Sequence, residues 1–552
     1  MKNKCAGRSL LSVLLFWVAQ VAWAQSPSFD ISGFNVSGNT LLPEATVQQV
    51  LAPFTGAGRG MKDVNAAADA LRQAYAEAGY PIVRVFPPEQ TLASGKIALQ
   101  VIEGKLRQVE IAGNKIYSAE NIRASLPPLK EGQSPNAGDL VAAITLANEN
   151  PAKQVAVNFQ AGVIPGDVNA RVDVTEGQPE KYILNYDNAG SKATGYDRVS
   201  VAWQNANWQN RDHMLTLQYA TTVANPDEVI NIVGGYRMPF YELGLSLDLI
   251  GAYSNTSSSS ATAAGALQFT GRGTYVGARL NQTLPNVGEL RHKISYGLDY
   301  KDFGNACTIS GISLTSCGTV TAMPLSATYA LQYAAPTLQA GGSIGYFSNV
   351  PGGMHGGSGH YTAARAQSTR HWDAWRYSGF VATPLPDDWQ FRASLNGQVS
   401  GKALVAAEQF GLGGASSVRG YDERTTSGDY GFGTNLEVYT PDVAKLLSAE
   451  GWQIRGLVFF DTGTVRRNFL QGGERKETSL SSIGFGARAS LRKELSLKLD
   501  VGWARQPWID TASGASPPDE VSAARFIGIA RANGPGRNVN QVSAHVSMSY
   551  SF

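Results

Sequence analysis

Alternating apolar and polar residues dominate the last two-thirds of the chain, from Lys181 to Phe552. From Val542 to Phe552 every second residue is apolar, and the positions between them hold four serines and His545. A period of two is the spacing of a β-strand, whose successive side chains leave on opposite faces. About 16 runs of this kind follow one another from Lys181 onward. They lie near residues 181–190, 197–208, 213–223, 229–240, 243–256, 266–284, 291–303, 323–334, 339–350, 376–385, 389–404, 430–441, 452–466, 480–493, 494–506 and 539–552.

The connections between these runs favour a membrane barrel over a soluble sandwich. Short connections such as 242–244 alternate with long, Gly- and Ser-rich ones such as 351–375, and membrane barrels have tight turns on one side and long loops on the other. Most runs keep one apolar face and one polar or charged face. In a membrane barrel the apolar face contacts lipid and the polar face contacts water in the lumen. Because lipid offers the backbone no hydrogen-bond partner, the sheet has to close. We therefore predict a mostly β protein with a 16-stranded antiparallel transmembrane β-barrel at 179–552.

An internal repeat precedes the barrel region. The segment FNVSGNTLL (34–42) resembles VEIAGNKIY (109–117), and LQVIEGK (99–105) resembles VDVTEGQ (172–178). Two markers with nearly the same offset, about 75 residues, indicate two copies of one module. We predict two small α/β modules, at 25–104 and 105–178, each with two helices on one face of a small sheet.

The clearest predicted helix lies in the first module, in DVNAAADALRQAYAEAGY. Asp63 is predicted to cap its start and Gly79 to end it. Its apolar stripe consists of Val64, Ala67, Leu71, Tyr75 and Ala78. The open sheet edges of the modules either accept an extended peptide as a further strand or pair within the protein, and the sequence favours neither alternative.

The first 24 residues have the composition of a secretory signal. An apolar run at 10–21 follows the basic Lys2, Lys4 and Arg8, and Ala22-Trp23-Ala24 forms a small-x-small cleavage site. We predict a signal peptide at 1–24 and export from the cytoplasm.

Composition and charge argue against two classes of protein, and the cysteine spacing predicts a disulfide. Charged residues make up 16% of the chain, against about 25% in ordinary soluble proteins. A net charge of +2 argues against nucleic-acid binding. Cys307 and Cys317 are ten residues apart between two strand runs, so we predict a disulfide that closes one loop in an oxidising compartment.

No catalytic residue, cofactor or metal site is predicted, so we do not expect an enzyme. His355 and His360 lie in the Gly-rich segment HGGSGH, but no carboxylate cluster or HExxH motif accompanies them. The segment GFGARA at 484–489 resembles a dinucleotide fingerprint, yet it lies within a strand run and no helix follows it.

Three sequence motifs indicate a family. The segment FGLGGASSVRGYDE (410–423) resembles the two-partner secretion outer-membrane transporters (TpsB type) of the POTRA-barrel polypeptide-transporter superfamily. The first module resembles the POTRA signature of that family at Gly79-Tyr80, Pro87, Gln90 and Glu103-Gly104. The tip motif of the long loop 6 is matched by Val418, Arg419, Gly420 and Tyr421, and the barrel-wall motif F-x-D-x-G by Phe459, Asp461 and Gly463. Tyr550 and Phe552 resemble the C-terminal signal for membrane insertion.

The resemblance implies that loop 6, at 405–429, folds back into the lumen and that Arg419 forms a salt bridge with Asp461. Strand alternation agrees, because Asp461 shares a face with Gln453 and Arg455 and therefore points inward. In the family some members carry a plug helix before the first module; only Gln25 to Pro27 stand there in this chain, so none is expected.

The implied function is a porin-like channel in the bacterial outer membrane, with both POTRA modules in the periplasm. Its implied cargo is a large exoprotein, such as an adhesin or haemolysin, whose N-terminal two-partner secretion domain docks on the modules while loop 6 gates the lumen. Outer-membrane lipids and, during biogenesis, the barrel-assembly machinery are the other expected partners. The alternative is a POTRA-barrel assembly factor, although such factors usually have more than two modules.

Overall fold

The structure is a computed structural model that describes residues 28–91, 94–164, 166–190, 194–255, 257–262, 265–309, 312–471, 474–505 and 542–552. For 257–270 and 305–317 it describes backbone only. The predicted signal peptide and the side chains of Cys307 and Cys317 lie outside what is described, so both remain predictions. The chain forms two compact units, the first reaching to Lys105 and including Gly162–Asp167, and the second holding all the rest.

The first unit is a small α/β module. Its elements are β1 (Phe29–Ile31), β2 (Gly33–Ser37), α1 (Glu44–Leu51), a 3₁₀ turn (Ala52–Phe54), β3 (Gly56–Arg59), α2 (Met61–Glu77), β4 (Arg84–Phe86) and β5 (Lys96–Ile102). The strands β2, β5 and β4 form one sheet in that order, and β1 pairs with β3. The buried core lies between the sheet and the helices, where Val47 and Leu51 of α1 join Val64, Leu71 and Tyr75 of α2.

The helix α2 begins three residues earlier than the sequence predicts. Its N-cap is Gly60 in extended conformation, and Asp63 is the third residue inside the helix, where its carboxylate accepts the Gly60 N–H at 2.9 Å. The prediction of Asp63 as the cap was therefore wrong, because an acidic residue at the third helical position instead accepts the N–H of the N-cap residue. Gly79 has a φ of +95° just beyond the helix, as predicted for a helix end.

The second module repeats this design at the start of the second unit. Its elements are β6 (Lys105–Ala112), α3 (Ala119–Ala124), α4 (Ala137–Ala147), β7 (Lys153–Ala161) and β8 (Asp167–Glu176). The sheet order is β6-β8-β7.

The repeated Gly-Asn and Glu-Gly markers have the same structural cause in both modules. Gly38 and Gly113 have φ values of +83° and +89°, and a Cβ at either would run into a carbonyl oxygen of the neighbouring strand. The following turn donates its backbone N–H groups to a glutamate, which is Glu103 in the first module and Glu176 in the second. Burial opposes ionisation of Glu176, but hydrogen bonds from three backbone N–H groups lower its pKa below the usual value.

The remainder of the second unit is a closed antiparallel barrel. Its strands and accessory strands are β9 (Glu180–Asp187), β10 (Arg198–Trp208), β11 (His213–Thr222), β12 (Asn231–Phe240), β13 (Leu245–Ser254), β14 (Ser257–Thr262), β15 (Gly265–Thr270), β16 (Gly273–Thr283), β17 (Leu290–Ile309), β18 (Ile312–Ala322), β19 (Pro324–Ala335), β20 (Leu338–Asn349), β21 (Asp373–Pro384), β22 (Gln390–Val399), β23 (Phe410–Leu412), β24 (Thr426–Gly428), β25 (Tyr430–Tyr439), β26 (Trp452–Arg466), β27 (Glu477–Leu491), β28 (Leu495–Arg505) and β29 (Val542–Ser551). The last strand, β29, pairs with β9 and closes the ring.

The predicted count of 16 barrel strands is confirmed for the part of the chain that the structure describes. Only Met323 separates β18 from β19, and both pair with the long strand β17, so they form one strand of the wall. The pairs β14–β15 and β23–β24 stand outside the ring as separate hairpins. The predicted run 266–284 was therefore wrong in one respect, because 265–270 leaves the wall and pairs with β14.

Each wall strand has an apolar outer face and a polar or closely packed inner face. On β26, Val458 and Phe460 are 59% and 40% exposed, whereas Asp461 is fully buried. On β29, Val542 is 54% exposed and Ser543 is 3% exposed. No helix within the described residues is both long and apolar enough to cross a membrane.

A buried polar cluster joins the second module to the barrel. Lys153 of β7 forms an ion pair with Asp212 in the turn between β10 and β11, and neither side chain is more than 1% exposed. The Tyr241 hydroxyl donates to the same carboxylate at 2.7 Å, and Asn121 of α3 accepts from Lys153 at 3.1 Å. Burial lowers the pKa of Lys153 below its usual value although the Asp212 charge acts in the opposite direction. The second module is therefore fixed to the end of the barrel at which β9 begins.

Removal of one partner from this joint is expected to loosen the second module. Lys153→Met leaves Asp212 buried without a counter-charge, which costs about 3–5 kcal/mol. We expect faster amide hydrogen exchange in α3 and β7, measured by mass spectrometry on the detergent-solubilised protein. Addition of Asp212→Asn should restore most of the protection, because Asn tolerates the φ of +58° at this position.

The matched control for this joint is Lys130→Met. Lys130 also reaches from the second module to a barrel turn, where it lies 3.9 Å from Glu242, but both side chains are more than half exposed. An exposed pair contributes at most about 1 kcal/mol, so exchange should stay as in the unmodified protein. Equal exchange in the Lys153 and Lys130 variants would contradict the structural role of the buried pair.

Candidate functional site

Loop 6 folds from the outer end of β22 back into the barrel. Its two ends form the hairpin β23–β24, and the segment between them carries the tip motif from Val418 to Tyr421. Val418 and Tyr421 are buried with Leu412 of β23 and with wall residues of β26, β27 and β28. The tip of loop 6 is therefore packed against the inner wall.

Arg419 is the residue through which the tip binds the wall. Its Nε donates to Asp461 Oδ2 and its Nη2 donates to Asp461 Oδ1, each at 2.8 Å. The Arg419 backbone N–H donates to the same carboxylate at 3.0 Å. The side chains are 4% and 0% exposed. Such a bidentate, buried contact is strong and selective for one geometry.

Two further carboxylates surround the same guanidinium. Arg419 Nη1 lies 2.7 Å from Glu437 of β25 and 3.3 Å from Asp500 of β28. Arg488 of β27 balances part of this charge, with its Nη1 at 2.9 Å from Asp500. Arg419 thus has an acceptor on each of three wall strands, which share one cluster of charges.

Aromatic and amide groups complete the site. The guanidinium of Arg419 lies over the ring of Phe459 with 3.6 Å between the guanidinium carbon and the ring centroid, a favourable cation–π geometry. Asn435 of β25 donates to Asp461 at 2.9 Å and also to the backbone carbonyl of Ser417. Asn435 therefore joins the wall carboxylate to the loop backbone.

The backbone of loop 6 approaches the backbone of β28 so closely that the tip motif needs a glycine at this point. Gly420 has a φ of +92°, and a Cβ there would lie 3.2 Å from backbone atoms of Gly502 and Ala504 in β28. Its N–H donates to His545 Nε2 at 3.2 Å. The Tyr421 hydroxyl donates to the backbone carbonyls of Ser481 and Arg505.

The structure brings the two predicted motifs together at this site. Gly463 of the wall motif faces Leu412 of loop 6, so close that a Cβ at Gly463 would lie 2.7 Å from the leucine methyl groups. Tyr550 and Phe552 lie at the end of the last strand, exposed and with their rings stacked at 5.5 Å. Cys317 pairs with Asn305, and Cys307 with Leu314, in the backbone register of β17 and β18. The insertion signal, the disulfide and the role of each motif residue remain predictions.

Sequence reasoning missed several charged residues that hold loop 6. Glu437, Asp500 and Arg488 belong to no local motif, although strand alternation places all three on inner faces. Glu408, in the 3₁₀ turn Ala406–Glu408, is fully buried and binds Lys301 and Arg376 of the wall at 3.0 and 2.8 Å. The partners of Glu408 are 107 and 32 residues away in the chain, so no local pattern marks this residue.

A polar cavity of about 700 Å³ opens between the second module and the inner wall. Thr145, Asn148 and Glu149 at the end of α4 line one side of it. Ser343, Ser378 and Asn396 of the wall line it as well, together with Ser416 of loop 6 and Asn435, which binds Asp461. The cavity therefore leads from the module towards the Arg419 site.

Comparison with protein families gives two matches. The profile of the family described as "Haemolysin secretion/activation protein ShlB/FhaC/HecB" matches residues 166–489. The profile described as "POTRA domain, ShlB-type" matches residues 29–104.

Relatives of similar length support these matches. The outer membrane transporter CdiB of Dickeya dadantii (strain 3937) is 24% identical over 489 residues, which cover 87% of this chain and 83% of that protein. The hemolysin transporter protein HpmB of Proteus mirabilis is 23% identical over 412 residues, 73% of this chain and 70% of that protein.

Solved structures show the same fold. CdiB from Escherichia coli superposes with a TM-score of 0.73 at 18% identity and covers 96% of this chain and 92% of its own. CdiB from Acinetobacter baumannii gives a TM-score of 0.66 at 16% identity, with coverage of 96% and 91%.

Proposed function

Because the chain belongs to the haemolysin secretion/activation protein family ShlB/FhaC/HecB, we propose that the Arg419–Asp461 contact is the latch of a gate formed by loop 6. The chain is an outer-membrane transporter of the two-partner secretion type, with periplasmic POTRA domains and a transmembrane barrel.

The single observation that carries the proposal is the buried guanidinium of Arg419 among three carboxylates. A loop arginine without a function would stay in solvent, because burial of a charge is costly unless it is paired and hydrogen-bonded. Here the pairing is complete only when the loop tip lies inside the barrel. Loop 6 in this position occupies part of the lumen, so passage of a polypeptide requires the tip to move and the Arg419 contacts to break.

The surplus of carboxylates gives the latch a way to release. Asp461, Glu437 and Asp500 all contact Arg419 on adjacent or nearby strands. A tip that slides along the wall keeps an acceptor for its guanidinium during part of the movement, which lowers the cost of leaving Asp461. We infer that the cluster permits a stepwise release.

The POTRA modules are proposed to dock the N-terminal secretion domain of the partner exoprotein. In the described residues β4 pairs only with β5, and β7 only with β8. Each is an edge strand whose outer backbone groups are available to an extended peptide. Docking at β7 places a bound peptide on the module that is joined to the barrel through Lys153, next to the polar cavity.

The exoprotein is proposed to cross the membrane unfolded, through the cavity and then past the displaced loop 6. No nucleotide-binding motif is found in the sequence, so nucleotide hydrolysis is not proposed as the energy source. Folding of the partner outside the cell would instead favour its outward movement. We expect no catalytic activity of the transporter itself. Outer-membrane lipids contact the outer face of the barrel. Tyr550 and Phe552 are proposed to form the signal that the barrel-assembly machinery recognises.

Assembly of other barrels is the second candidate function. It is disfavoured by the match of the first module to the ShlB-type POTRA profile over residues 29–104. Depletion of the transporter should leave the levels of other outer-membrane barrels unchanged.

Loss of the latch is expected to stop export without loss of the barrel. Arg419→Ala leaves Asp461 buried without its counter-charge, which costs about 3–5 kcal/mol. Asp461→Ala removes the bidentate acceptor of Arg419 and leaves Glu437 and Asp500 as its acceptors, so in both variants the tip of loop 6 loses its defined position on the wall. We expect at least a tenfold drop in secretion of the exoprotein encoded by the adjacent reading frame, measured by immunoblot of the medium. Heat-modifiable migration on gels should show a folded barrel in both variants.

The control for the latch is Arg279→Ala. Arg279 also forms a bidentate ion pair, with Asp299, between two neighbouring wall strands, but neither residue belongs to loop 6. This variant should secrete normally if folded. Full export by both the Arg419 and Asp461 variants would remove the latch from the mechanism.

Deletion of residues 29–104 tests the docking step separately. This segment lies within the first compact unit, and its removal leaves the Lys153 joint of the second module intact. We expect the deleted protein to insert and to conduct ions in planar lipid bilayers, but to secrete no exoprotein. Secretion at the normal level would rule out docking by the first module.

A further inference from the structure

A long segment on the side of the barrel opposite the modules covers the root of loop 6. It connects β20 to β21, and we call residues 351–372 the outer cap. The cap contains the short helix α5 (Ser358–Ala364). Tyr361 and Trp372 of the cap are at most 1% exposed and pack with Leu404 and Val405, where loop 6 begins.

Arg365 of the cap connects three separate loops. Its guanidinium forms an ion pair with Asp429 at the end of loop 6, through Nη1. The same Nη1 donates to the carbonyl of Leu404 at 2.8 Å, and Nη2 donates to the carbonyl of Phe469 at 2.9 Å. Phe469 lies in the loop between β26 and β27. Arg365 is 6% exposed and Asp429 is fully buried.

Asp429 is the matching centre on loop 6. Its Oδ1 accepts the backbone N–H of Leu404 at 2.8 Å and the side chain of Gln409 at 3.1 Å. Its Oδ2 accepts the backbone N–H of Asn468 at 2.8 Å. One carboxylate thus binds both ends of loop 6 and the neighbouring loop, and Arg365 supplies its counter-charge.

We propose that Arg365 is a positioning residue that locks the root of loop 6, as a second lock distinct from the Arg419 latch at the tip. The two locks use different carboxylates, Asp429 and Asp461, and lie at opposite ends of the loop. Both must release before loop 6 can leave the lumen. This inference rests on the proposed function of loop 6 as the gate.

The contacts of Arg365 and Asp429 join loops that lie outside the wall strands. The Nε of Arg365 is buried without an acceptor among the described residues. Its Nη2 also lies 3.6 Å from Glu474 in the loop between β26 and β27. The outer cap and the root of loop 6 therefore form a joint that is closed at rest and can be broken without unfolding the barrel wall.

The test compares Arg365→Gln with Arg419→Gln and with their double variant in single-channel recordings of the full-length protein in planar lipid bilayers. We expect Arg365→Gln to raise the ratio of open to closed time by about tenfold or more, since it removes a buried charge pair from the closed state only. In the double variant the two effects should multiply, because the locks act at separate places.

The matched control is Arg466→Gln. Arg466 is an arginine at the same end of the barrel whose side chain binds Glu477 on the neighbouring strand at 2.8 Å and contacts neither loop 6 nor the cap through its charge. Its gating should be unchanged. The heat-modified transition of all variants is measured as well, so that a general loss of barrel stability is detected.

Each outcome decides a different claim. If Arg419→Gln alters gating and Arg365→Gln behaves like Arg466→Gln, the second lock is rejected and the latch stands. If the double variant equals the stronger single variant, the two residues act as one unit and the claim of separate locks is wrong. If no variant conducts differently from the unmodified channel, the gate function of loop 6 fails with it.

Discussion

Closure of the sheet is the constraint on which the rest of the structure depends. Once β29 pairs with β9, every wall strand has two neighbours, and each strand must divide its side chains between an outer and an inner face. The outer face is apolar along its length. Away from the outer strand ends, where Arg466 pairs with Glu477, charged side chains of the wall are then forced inward into the lumen. Charged residues in such a space have to be paired, and the pairs in turn determine which segments can lie inside the barrel.

The need to pair the charges on the inner wall also fixes the position of loop 6. Among the described residues, the wall presents Asp461, Glu437 and Asp500 at this place and pairs them with Arg488 from its own strands, so a further cation is needed there. Arg419 supplies it, and the glycine after it allows the tip to lie against the backbone of β28. The same logic applies at the joint with the second module, where Lys153 meets Asp212. Buried pairs therefore hold both the module and the loop to one rigid wall.

The wall strands were predicted well from the sequence, because a period of two both marks a strand and assigns each of its residues to one face. The run 452–466 coincides with β26, and the family resemblance, now confirmed by the matching profiles, located the tip and wall motifs. The hairpin β14–β15 and the strand β18 escaped prediction, because alternation does not distinguish a wall strand from a hairpin beyond it. Glu408, Asp429 and Arg365 also escaped, since a buried pair between distant loops leaves no local pattern. Asp63 was misplaced by three positions because an acidic residue suits both a cap and the first helical turn.

The central claim is that the tip of loop 6 must leave the wall for export to occur. A reversible cross-link between the tip and β25 tests it most directly, because the side chain of Ser417 lies next to Gly433, with Ser417 Oγ 3.9 Å from the position of a Cβ at Gly433. Secretion by Ser417→Cys/Gly433→Cys is measured with the cross-link formed and after reduction, with each single variant treated alike. The account predicts that export stops when the tip is tied to β25 and resumes on reduction. Export at the full rate with the cross-link intact would contradict it.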